Sequence, residues 1–395
     1  MKVEVAVIGG GAAGIMAAIS AGRRGAAVVI LEKMPRLGKK LLISGNGRCN
    51  LLNERLDETH YNSACRGLVR SIFSKFGKEE IVNLFNDLGL EIYSDEDGRV
   101  FPATNQASSV LKVLEMELKR LAIPVELNFD VTEIADVKGG FAARSRSGKE
   151  MLCQKAVLTG GGKTYPALGS DGGAYKLAER SGHKIIGPVP SAVPLVVKDP
   201  LCHMLQGQRI FAGARAVIGG KPASGMSSGE LLFTKYGLSG TAILDISEDV
   251  SIAMNRLGRK DAAVSVDLVP FMERDELKAA LHKRRSKAAA AEELVAGILP
   301  DKFGMALKDL LNRNDDDIIN TLKDRRFLVS GTRGWNEAEF TAGGVSASEV
   351  ETASLGSRLR RGLYLAGEIL DVQGKRGGYN LAWAWASGFV AGMTL

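Results

Sequence analysis

Residues 3–14 of the chain read Val3-Glu4-Val5-Ala6-Val7-Ile8-Gly9-Gly10-Gly11-Ala12-Ala13-Gly14. This stretch predicts a buried strand, a G-x-G-x-x-G turn and the start of a helix. In this kind of unit Gly9 permits the tight turn, Gly11 lets the backbone approach a pyrophosphate, and Gly14 allows the helix to pack closely on the strand. The helix N-terminus adds N–H groups and partial positive charge, so the stretch predicts a dinucleotide site.

A second strand is predicted over residues 26–32 and ends in Glu32, 18 residues after Gly14. A carboxylate at this spacing can accept hydrogen bonds from both ribose hydroxyls of a dinucleotide, and it would repel the 2′-phosphate of NADP. We therefore expect FAD or NAD at this site. The glycine turn and the carboxylate do not distinguish these two cofactors by themselves.

The other end of the chain favours FAD. Gly367-Glu368 and Asp371 are followed by Gly377-Gly378-Tyr379-Asn380-Leu381 and then by an apolar helix. The two glycines allow a ligand to approach the helix start, whose dipole would stabilise negative charge at the N1–C2=O edge of a flavin. The helix is expected to bury one face, formed at a spacing of four by Leu381, Trp385 and Phe389.

A glycine-rich loop is predicted between these two ends of the site, over residues 38–50. Its glycines alternate with Ser, Asn and Arg, so the loop can expose backbone N–H groups and place polar side chains on a planar ligand. The alternative is a solvated surface loop. Cys49 lies inside this loop, and we expect it to fill space as a small apolar side chain rather than to act as a redox thiol.

Several long motifs closely resemble the BaiN-like flavoproteins, also described as aminoacetone-oxidase-like FAD-binding enzymes. The motifs are Ser44-Gly45-Asn46-Gly47-Arg48-Cys49-Asn50, Gly367-Glu368-Ile369-Leu370-Asp371-Val372, Gly377-Gly378-Tyr379-Asn380-Leu381, Tyr165-Pro166 with Gly169-Ser170-Asp171-Gly172, residues 232–240 and Phe340-Thr341-Ala342-Gly343-Gly344-Val345. The resemblance spans essentially the whole chain. It implies an α/β fold with a Rossmann-like FAD-binding domain, built from the N- and C-terminal segments, that carries an inserted small β-barrel domain and an all-helical insert.

The resemblance also implies an FAD-dependent oxidoreductase that transfers hydride between a small organic substrate, or NAD(P)H, and tightly bound FAD. Members of the family range from reductases of activated C=C bonds in steroid-like molecules to oxidases of small amines. The residues expected to contact FAD are Gly9, Gly11, Ala12, Ala13, Gly14, Glu32, Lys33, Lys40, Ser44, Gly45, Gly47, Arg48, Cys49, Asn50, Val131, Thr159, Gly160, Gly161, Gly367, Glu368, Asp371, Gly378, Tyr379, Asn380 and Leu381.

The character of the sequence changes along the chain. Past Pro188, short apolar runs broken by glycine indicate a small β-domain, and residues 272–328 are charged, Ala-rich and helical in period. We therefore expect an FAD-binding domain over 1–190 and 344–395, a barrel-like substrate domain over 191–271 and 329–343, and a helical insert domain over 272–328.

Composition limits the other classes of function. The 395 residues carry 45% hydrophobic and 25% charged residues with a formal charge of +7, and the four cysteines are far apart. These values indicate a globular protein of a reducing cytoplasm, with no zinc or other metal site. We expect no signal peptide, because the first predicted strand begins at Val3, and no membrane helix, because no apolar run approaches the roughly 18 residues that one needs. Oligomeric state stays open.

The spread of Lys and Arg disfavours a nucleic-acid partner. The densest basic run, His282-Lys283-Arg284-Arg285-Ser286-Lys287, fits a solvated helix face better than a binding patch. The alternative function is a flavin-containing RNA-binding or redox-sensing protein without a small-molecule substrate. A plain NAD-dependent dehydrogenase is a third hypothesis, which the C-terminal segment opposes. Because the sequence has no second G-x-G-x-x-G unit, any NAD(P)H is expected to dock transiently.

The sequence does not assign a catalytic acid or base. Weak candidates are Arg48, Tyr165, Lys235, Tyr236 and Tyr379, because they lie in or beside the recognisable loops. Lys235 stands where a histidine is usual in the related F-T-H-x-G-L-S-G-P segment, and Thr241 replaces its proline, so that histidine's chemistry does not carry over. We expect His183 and His203 to be structural.

Overall fold

The computed structural model describes residues 2–395 and divides into two compact units, Met1–Pro188 with Phe340–Leu395, and Val189–Glu339. The strands are β1 (Lys2–Ile8), β2 (Val28–Leu31), β3 (Leu52–Asn53), β4 (Ile92–Ser94), β5 (Arg99–Pro102), β6 (Val125–Glu126), β7 (Val131–Val137), β8 (Gly140–Ser145), β9 (Glu150–Leu158), β10 (Ile185–Ser191), β11 (Leu195–Val197), β12 (Arg209–Ile218), β13 (Lys221–Pro222), β14 (Ser227–Thr234), β15 (Gly237–Ser239), β16 (Ala262–Asp267), β17 (Arg325–Thr332), β18 (Phe340–Val345) and β19 (Leu363–Leu365). The α-helices are α1 (Ala12–Arg23), α2 (Arg66–Phe73), α3 (Lys78–Asp87), α4 (Ala107–Arg120), α5 (Gly173–Arg180), α6 (Pro200–Met204), α7 (Thr241–Ser251), α8 (Arg274–Arg285), α9 (Lys302–Ala306), α10 (Lys308–Leu311), α11 (Asp315–Lys323) and α12 (Tyr379–Met393).

The first unit is built on a sheet of order β6-β2-β1-β9-β8-β7, with β19 also paired to β9. Strands β6, β2, β1, β9 and β19 are parallel, as expected for a buried α/β sheet. Ile8 is in register with both Leu31 and Leu158, and Leu158 is in register with Leu365. The segments that follow β1, β2, β9 and β19 therefore leave the sheet side by side at one edge.

Helices α1 and α12 pack against each other through small residues. A Cβ atom on Gly388 would lie 2.2 Å from the backbone oxygen of Ala13, and one on Gly392 would lie 2.4 Å from that of Ala17. The two helix backbones are therefore in direct contact. This α1–α12 contact lies in the core of the first unit, where Ala13 and Ala17 are themselves buried.

The buried face predicted for α12 is wrong in part. Trp385 is fully buried, whereas Leu381 and Phe389 are only partly buried. Trp383 is also buried, and its indole N–H donates to the backbone oxygen of Gly367 at 3.1 Å. The helix is covered on nearly all sides because it runs through the core between α1 and the α2–α3 region, so a single apolar stripe does not describe it.

The second unit contains a closed six-stranded antiparallel barrel. The strand order is β12-β14-β15-β11-β17-β16, and β16 pairs back to β12, while the short β13 extends β12 as a hairpin. The fold class expected from the sequence, a Rossmann-type unit with an inserted barrel and helical regions, is confirmed.

The helical segment 272–328 does not have a separate core. Leu277 of α8, Phe303 of α9 and Ile318 of α11 belong to the same buried cluster as Phe233 and Phe327 of the barrel. Helix α11, the last helix of this segment, ends at Lys323, and β17 begins at Arg325, earlier than the sequence indicated. These short helices bury their apolar faces on the barrel, and the three-domain division stays a prediction.

The α1–α12 contact gives a prediction about stability. Gly388→Ala places a methyl group against the Ala13 carbonyl, and such overpacking should lower the free energy of unfolding by about 2 kcal/mol or more. The control is Gly67→Ala in α2, where nothing lies within 4 Å of the added Cβ, and which should be neutral or stabilising by up to about 1 kcal/mol. Urea unfolding followed by circular dichroism measures both changes. Equal stabilities of the two variants would contradict the packing described.

Candidate functional site

A cleft with an empty volume of about 770 Å³ opens at the carboxyl edge of the parallel strands in the first unit. This is the edge where α/β sheets bind dinucleotides. Nine of the residues predicted to contact FAD line this cleft, and they are Gly9, Gly11, Glu32, Lys33, Lys40, Val131, Thr159, Gly160 and Gly161.

The glycines of the first turn have the backbone geometry that their predicted roles require. Gly9 has φ +110°, and a Cβ atom there would lie 2.7 Å from the Thr159 oxygen. A Cβ atom on Gly14 would lie 1.9 Å from the Gly9 oxygen, so only glycine allows α1 to pack this closely. Gly11 faces open space, with nothing within 4 Å of its Cβ position. The Thr159 hydroxyl donates to the Ile8 and Gly9 oxygens at 3.0 and 2.9 Å and supports the turn from behind.

Glu32 lies at the end of β2 with 8% of its surface exposed. Its carboxylate accepts hydrogen bonds from the Gly10 N–H at 2.6 Å and from the Met34 N–H at 2.7 Å. Burial raises the pKa of Glu32 above its ordinary value, although the two N–H donors and Lys33 oppose that shift. The carboxylate is thus fixed beside the glycine turn, where a ribose would lie.

Lys40 connects the cleft to the C-terminal segment. Its ammonium group donates to Glu368 Oε2 at 2.5 Å and to Thr164 Oγ1 at 2.6 Å. The other Glu368 oxygen accepts from the Thr341 N–H at 2.9 Å. Two residues that the sequence predicted as separate cofactor contacts therefore form one ion pair. Gly367 lies next to it, and a Cβ atom there would be 2.7 Å from Ala13 Cβ.

The loop over residues 44–50 has an unusual backbone. Gly45, Asn46 and Cys49 have φ values of +55°, +56° and +60°. The Ser44 hydroxyl donates to the Leu41 oxygen at 2.6 Å, and the Arg48 guanidinium lies over the Phe101 ring, 4.5 Å from its centroid. Cys49 is fully buried, and this burial raises its pKa to about 12, so the thiol stays protonated and fills space as expected.

The start of α12 lies against this loop. Gly378 has φ +106°, and a Cβ atom there would lie 2.5 Å from the Leu52 oxygen and 2.8 Å from Asn50 Oδ1. No side chain within residues 2–395 caps the helix. The Asn380 side chain bonds both the N–H and the oxygen of Gly374, at 2.9 and 2.8 Å, so it holds the loop before the helix in place. Leu381, in the first turn of α12, is partly buried. Asp371 lies in the segment between β19 and α12.

The predicted catalytic candidates have different surroundings. The Tyr379 ring stacks on His60 with centroids 4.5 Å apart and meets Tyr61 edge-on, and burial raises its pKa. Tyr165 has φ +55°, whereas Lys235 is exposed in the turn between β14 and β15 of the second unit. The neighbouring Tyr236 lies under the guanidinium of Arg333, 4.6 Å from its ring centroid.

A histidine that the sequence did not indicate, His60, lies beside the C-terminal helix. His60 Nδ1 lies 3.1 Å from Asp57 Oδ1, and its ring covers that of Tyr379. The only signal in the sequence is the spacing D-x-x-H, which is too common to be informative. His183, in contrast, is buried between Glu349 and Ser357 at 3.0 and 2.8 Å, in keeping with the structural role expected for it. Within residues 2–395, no group of three or more His, Cys, Asp or Glu could hold a metal ion.

The residues of this site fit FAD. The N-terminus of α1 and the open face at Gly11 suit a diphosphate, and buried Glu32 suits a ribose. At the start of α12, Asn50 Oδ1 and Gln373 Oε1 are buried without a hydrogen-bond partner among the described residues. These amide oxygens are acceptors, and the N–H group of a flavin ring could donate to such an atom, so both halves of the cofactor have chemically matched surroundings.

Fold and site together define a Rossmann-type flavoprotein. A family model described as "HI0933-like protein Rossmann domain" matches residues 3–394. The chain is 37% identical to the 3-dehydro-bile acid delta(4,6)-reductase of Clostridium scindens over 98% of both chains. It is 31% identical to the ribosomal RNA dihydrouridine synthase of Escherichia coli, over 100% of this chain and 98% of that one. The chain belongs to the HI0933-like family of FAD-dependent oxidoreductases, which confirms the resemblance drawn from its motifs.

A solved structure has the same fold. The 3-ketosteroid delta1-dehydrogenase of Sterolibacterium denitrificans matches with a TM-score of 0.50 and 12% identity, over 99% of this chain and 98% of that one. At this identity the likeness concerns the fold alone. None of the helices in residues 2–395 is both long and apolar enough to span a membrane.

Glu32 gives a prediction about pH. In the protein without cofactor, burial raises the Glu32 pKa above 4.5, so the contribution of this group to stability falls as pH rises through the raised pKa. Ribose hydroxyls donate more strongly to the ionised carboxylate than to the protonated acid, so FAD affinity should rise with pH across the same window. Glu32→Gln should weaken FAD binding about ten-fold at neutral pH and remove this pH dependence. Titration of the apoprotein with FAD between pH 4.5 and 8 measures the affinity at each pH. If affinity changes with pH in the variant as it does in the wild type, the ribose assignment is refuted.

Proposed function

We propose that this protein uses bound FAD to reduce a carbon–carbon double bond conjugated to a carbonyl group in a small organic substrate. The observation that carries the proposal is the full-length identity of 37% with an enzyme named as a bile acid delta(4,6)-reductase. The reaction named for the dihydrouridine synthase relative also saturates a double bond next to a carbonyl. The names of two relatives with different substrates thus indicate the same reaction, reduction of a carbon–carbon double bond next to a carbonyl group.

Different residues of the chain would bind different parts of the cofactor. FAD, when bound, supplies the two-electron chemistry that accepts a hydride and passes it on. The α1 N-terminus and Gly11 would hold the diphosphate, and Glu32 would hold the ribose. The α12 N-terminus would stabilise negative charge at one edge of the flavin, which favours the reduced cofactor.

The electron donor that we propose is NADH or NADPH, docking transiently. No second G-x-G-x-x-G unit is present in the sequence to bind it permanently. The residue that supplies the proton is not assigned. The candidates are His60 with its partner Asp57, which the structure adds, and those from the sequence, Arg48, Tyr165, Lys235, Tyr236 and Tyr379.

The test is anaerobic reduction followed by substrate turnover. NADH or NADPH should bleach the bound flavin, and a 3-keto-4-ene bile acid or a simpler cyclic enone should restore its colour and gain two hydrogens by mass spectrometry. Protein whose flavin has been reduced with dithionite tests the second step, reoxidation by the enone, separately from the first, because it needs no nucleotide donor. If the dithionite-reduced flavin is not reoxidised by any of a broad enone panel, the proposed reaction is wrong.

A second candidate, reduction of uridine in ribosomal RNA, is favoured by the 31% identity over the whole chain. The basic run on α8 gives it little support. Arg285 pairs with Asp315 at 2.6 Å, Lys278 pairs with Asp316 at 3.4 Å, and Arg284 bonds backbone oxygens of its own segment. Much of the positive charge on this helix is therefore engaged within the protein.

The two candidates make different products. We expect that unmodified ribosomal RNA, incubated with reduced protein and then digested to nucleosides, will contain no dihydrouridine above background, while the enone is reduced. Nucleoside mass spectrometry makes the measurement. Dihydrouridine formation without enone reduction would reverse the ranking of the two candidates.

A further inference from the structure

Asp57 and His60 form a carboxylate–imidazole pair in the first unit. Asp57 Oδ1 accepts a hydrogen bond from the Thr59 N–H at 2.7 Å and lies 3.1 Å from His60 Nδ1. The Thr59 hydroxyl also donates to this oxygen and holds the pKa of Asp57 below its ordinary value, so the carboxylate is ionised at neutral pH. Because an ionised carboxylate only accepts hydrogen bonds, His60 Nδ1 carries a proton and donates to Asp57.

This arrangement leaves the other ring nitrogen of His60 available. The side chain is 21% exposed, and no hydrogen bond joins Nε2 to another group within residues 2–395. A neutral ring with its proton on Nδ1 has a lone pair at Nε2, and the imidazolium carries its second proton there. Proton exchange with a ligand therefore takes place at Nε2.

The pair is attached to the segment that leads into α12. The Lys375 N–H donates to the His60 oxygen at 2.9 Å, and Tyr61 forms an isolated β-bridge with Gly374. The Tyr61 hydroxyl donates to the oxygen of Tyr379, in the first turn of α12, at 2.7 Å. The His60 ring lies flat on the Tyr379 ring, with centroids 4.5 Å apart and planes at 14°. His60 is thus held beside the helix start against which the flavin is expected to bind.

Few other charges bear on the His60 ring. Glu58, on the same turn, pairs with Arg70 at 2.8 Å, and the Arg66 guanidinium of α2 donates to the backbone oxygens of Thr59 and Tyr61 at 3.2 Å. The remaining titratable groups on the elements packed against His60 are Tyr61, Lys375 and Tyr379. Among the described residues, Asp57 is therefore the only carboxylate within hydrogen-bond distance of the ring.

The chemistry of an imidazole suits proton donation better than that of neighbouring candidates. The guanidinium of Arg48 does not lose its proton in proteins. Burial raises the pKa of Tyr379 above its ordinary value, which makes the phenol a weaker acid. An imidazole ordinarily changes charge between pH 5 and 8, so it can give up and regain a proton at neutral pH.

We propose that His60, held in one tautomer by Asp57, donates the proton that completes reduction of the substrate double bond. Hydride from the reduced cofactor adds to one carbon, and the electron pair of the double bond moves to the other carbon and its conjugated carbonyl. The Nε2–H of the imidazolium then protonates that second carbon. The ring is left neutral with its proton on Nδ1, and solvent returns the other proton. This role rests on the proposed function, and Asp57 is a positioning residue in it.

The test separates proton transfer from hydride transfer. Dithionite-reduced protein is mixed anaerobically with a cyclic enone or with a nitroalkene, because hydride addition to a nitroalkene gives a nitronate anion that is stable without a further proton. His60→Gln should slow flavin reoxidation by the enone about 100-fold or more and leave reoxidation by the nitroalkene within about two-fold of wild type. The control is His203→Gln, at an exposed histidine of α6, which should change neither rate.

The pH dependence identifies the donor. Reoxidation of the wild type by the enone should slow by about ten-fold per pH unit above the pKa of His60, which NMR measures on the same protein, and His60→Gln should lack this fall. Asp57→Asn should move the fall to lower pH, because a neutral amide no longer stabilises the imidazolium. In the apoprotein, nitrogen-15 NMR should find the neutral His60 ring protonated on Nδ1.

Each of the other outcomes contradicts a specific step. Equal losses with the enone and the nitroalkene in His60→Gln would overturn proton donation and indicate a structural role, and an unchanged enone rate would overturn any role of His60. A neutral ring protonated on Nε2 would overturn the positioning by Asp57. If neither compound reoxidises the reduced wild-type protein, the proposed function is wrong, which is distinct from a failure at His60.

Discussion

The contact between α1 and α12 is the constraint on which the site depends. Gly388 and Gly392 place the backbone of α12 directly on the Ala13 and Ala17 carbonyl groups of α1. Each helix begins near the carboxyl edge of the central sheet, one after β1 and the other after β19. The close contact therefore fixes the spacing of two helix N-termini, and each of these offers uncapped N–H groups and partial positive charge.

Segments far apart in the sequence meet around these two helix starts. Lys40 pairs with Glu368, the Trp385 indole donates to the Leu51 oxygen at 3.0 Å, and Asn53 donates to the Gly377 oxygen at 3.0 Å. The N- and C-terminal parts of the chain are thus joined by polar contacts exactly where a long cofactor would cross between them. A site of this kind holds the two ends of a dinucleotide without a separate domain for each.

The sequence was most informative where the chemistry is local. The G-x-G-x-x-G turn and Glu32 act through backbone geometry and spacing within one βαβ unit, and their positions could be predicted. The predicted face of α12 failed because burial on all sides removes the periodic signal. His60 could not be found, since its significance comes from its stacking on Tyr379, with which it shares no sequence pattern.

The assignment of FAD to this site can be tested by the visible spectrum of the purified protein, with the cofactor released by heat and identified by chromatography. The two helix N-termini, Glu32 and the glycine turn together require a full dinucleotide, so we expect oxidised-flavin bands and release of about one FAD per chain. A colourless protein that takes up no added FAD, or one that releases FMN instead, would contradict the assignment of FAD to this site.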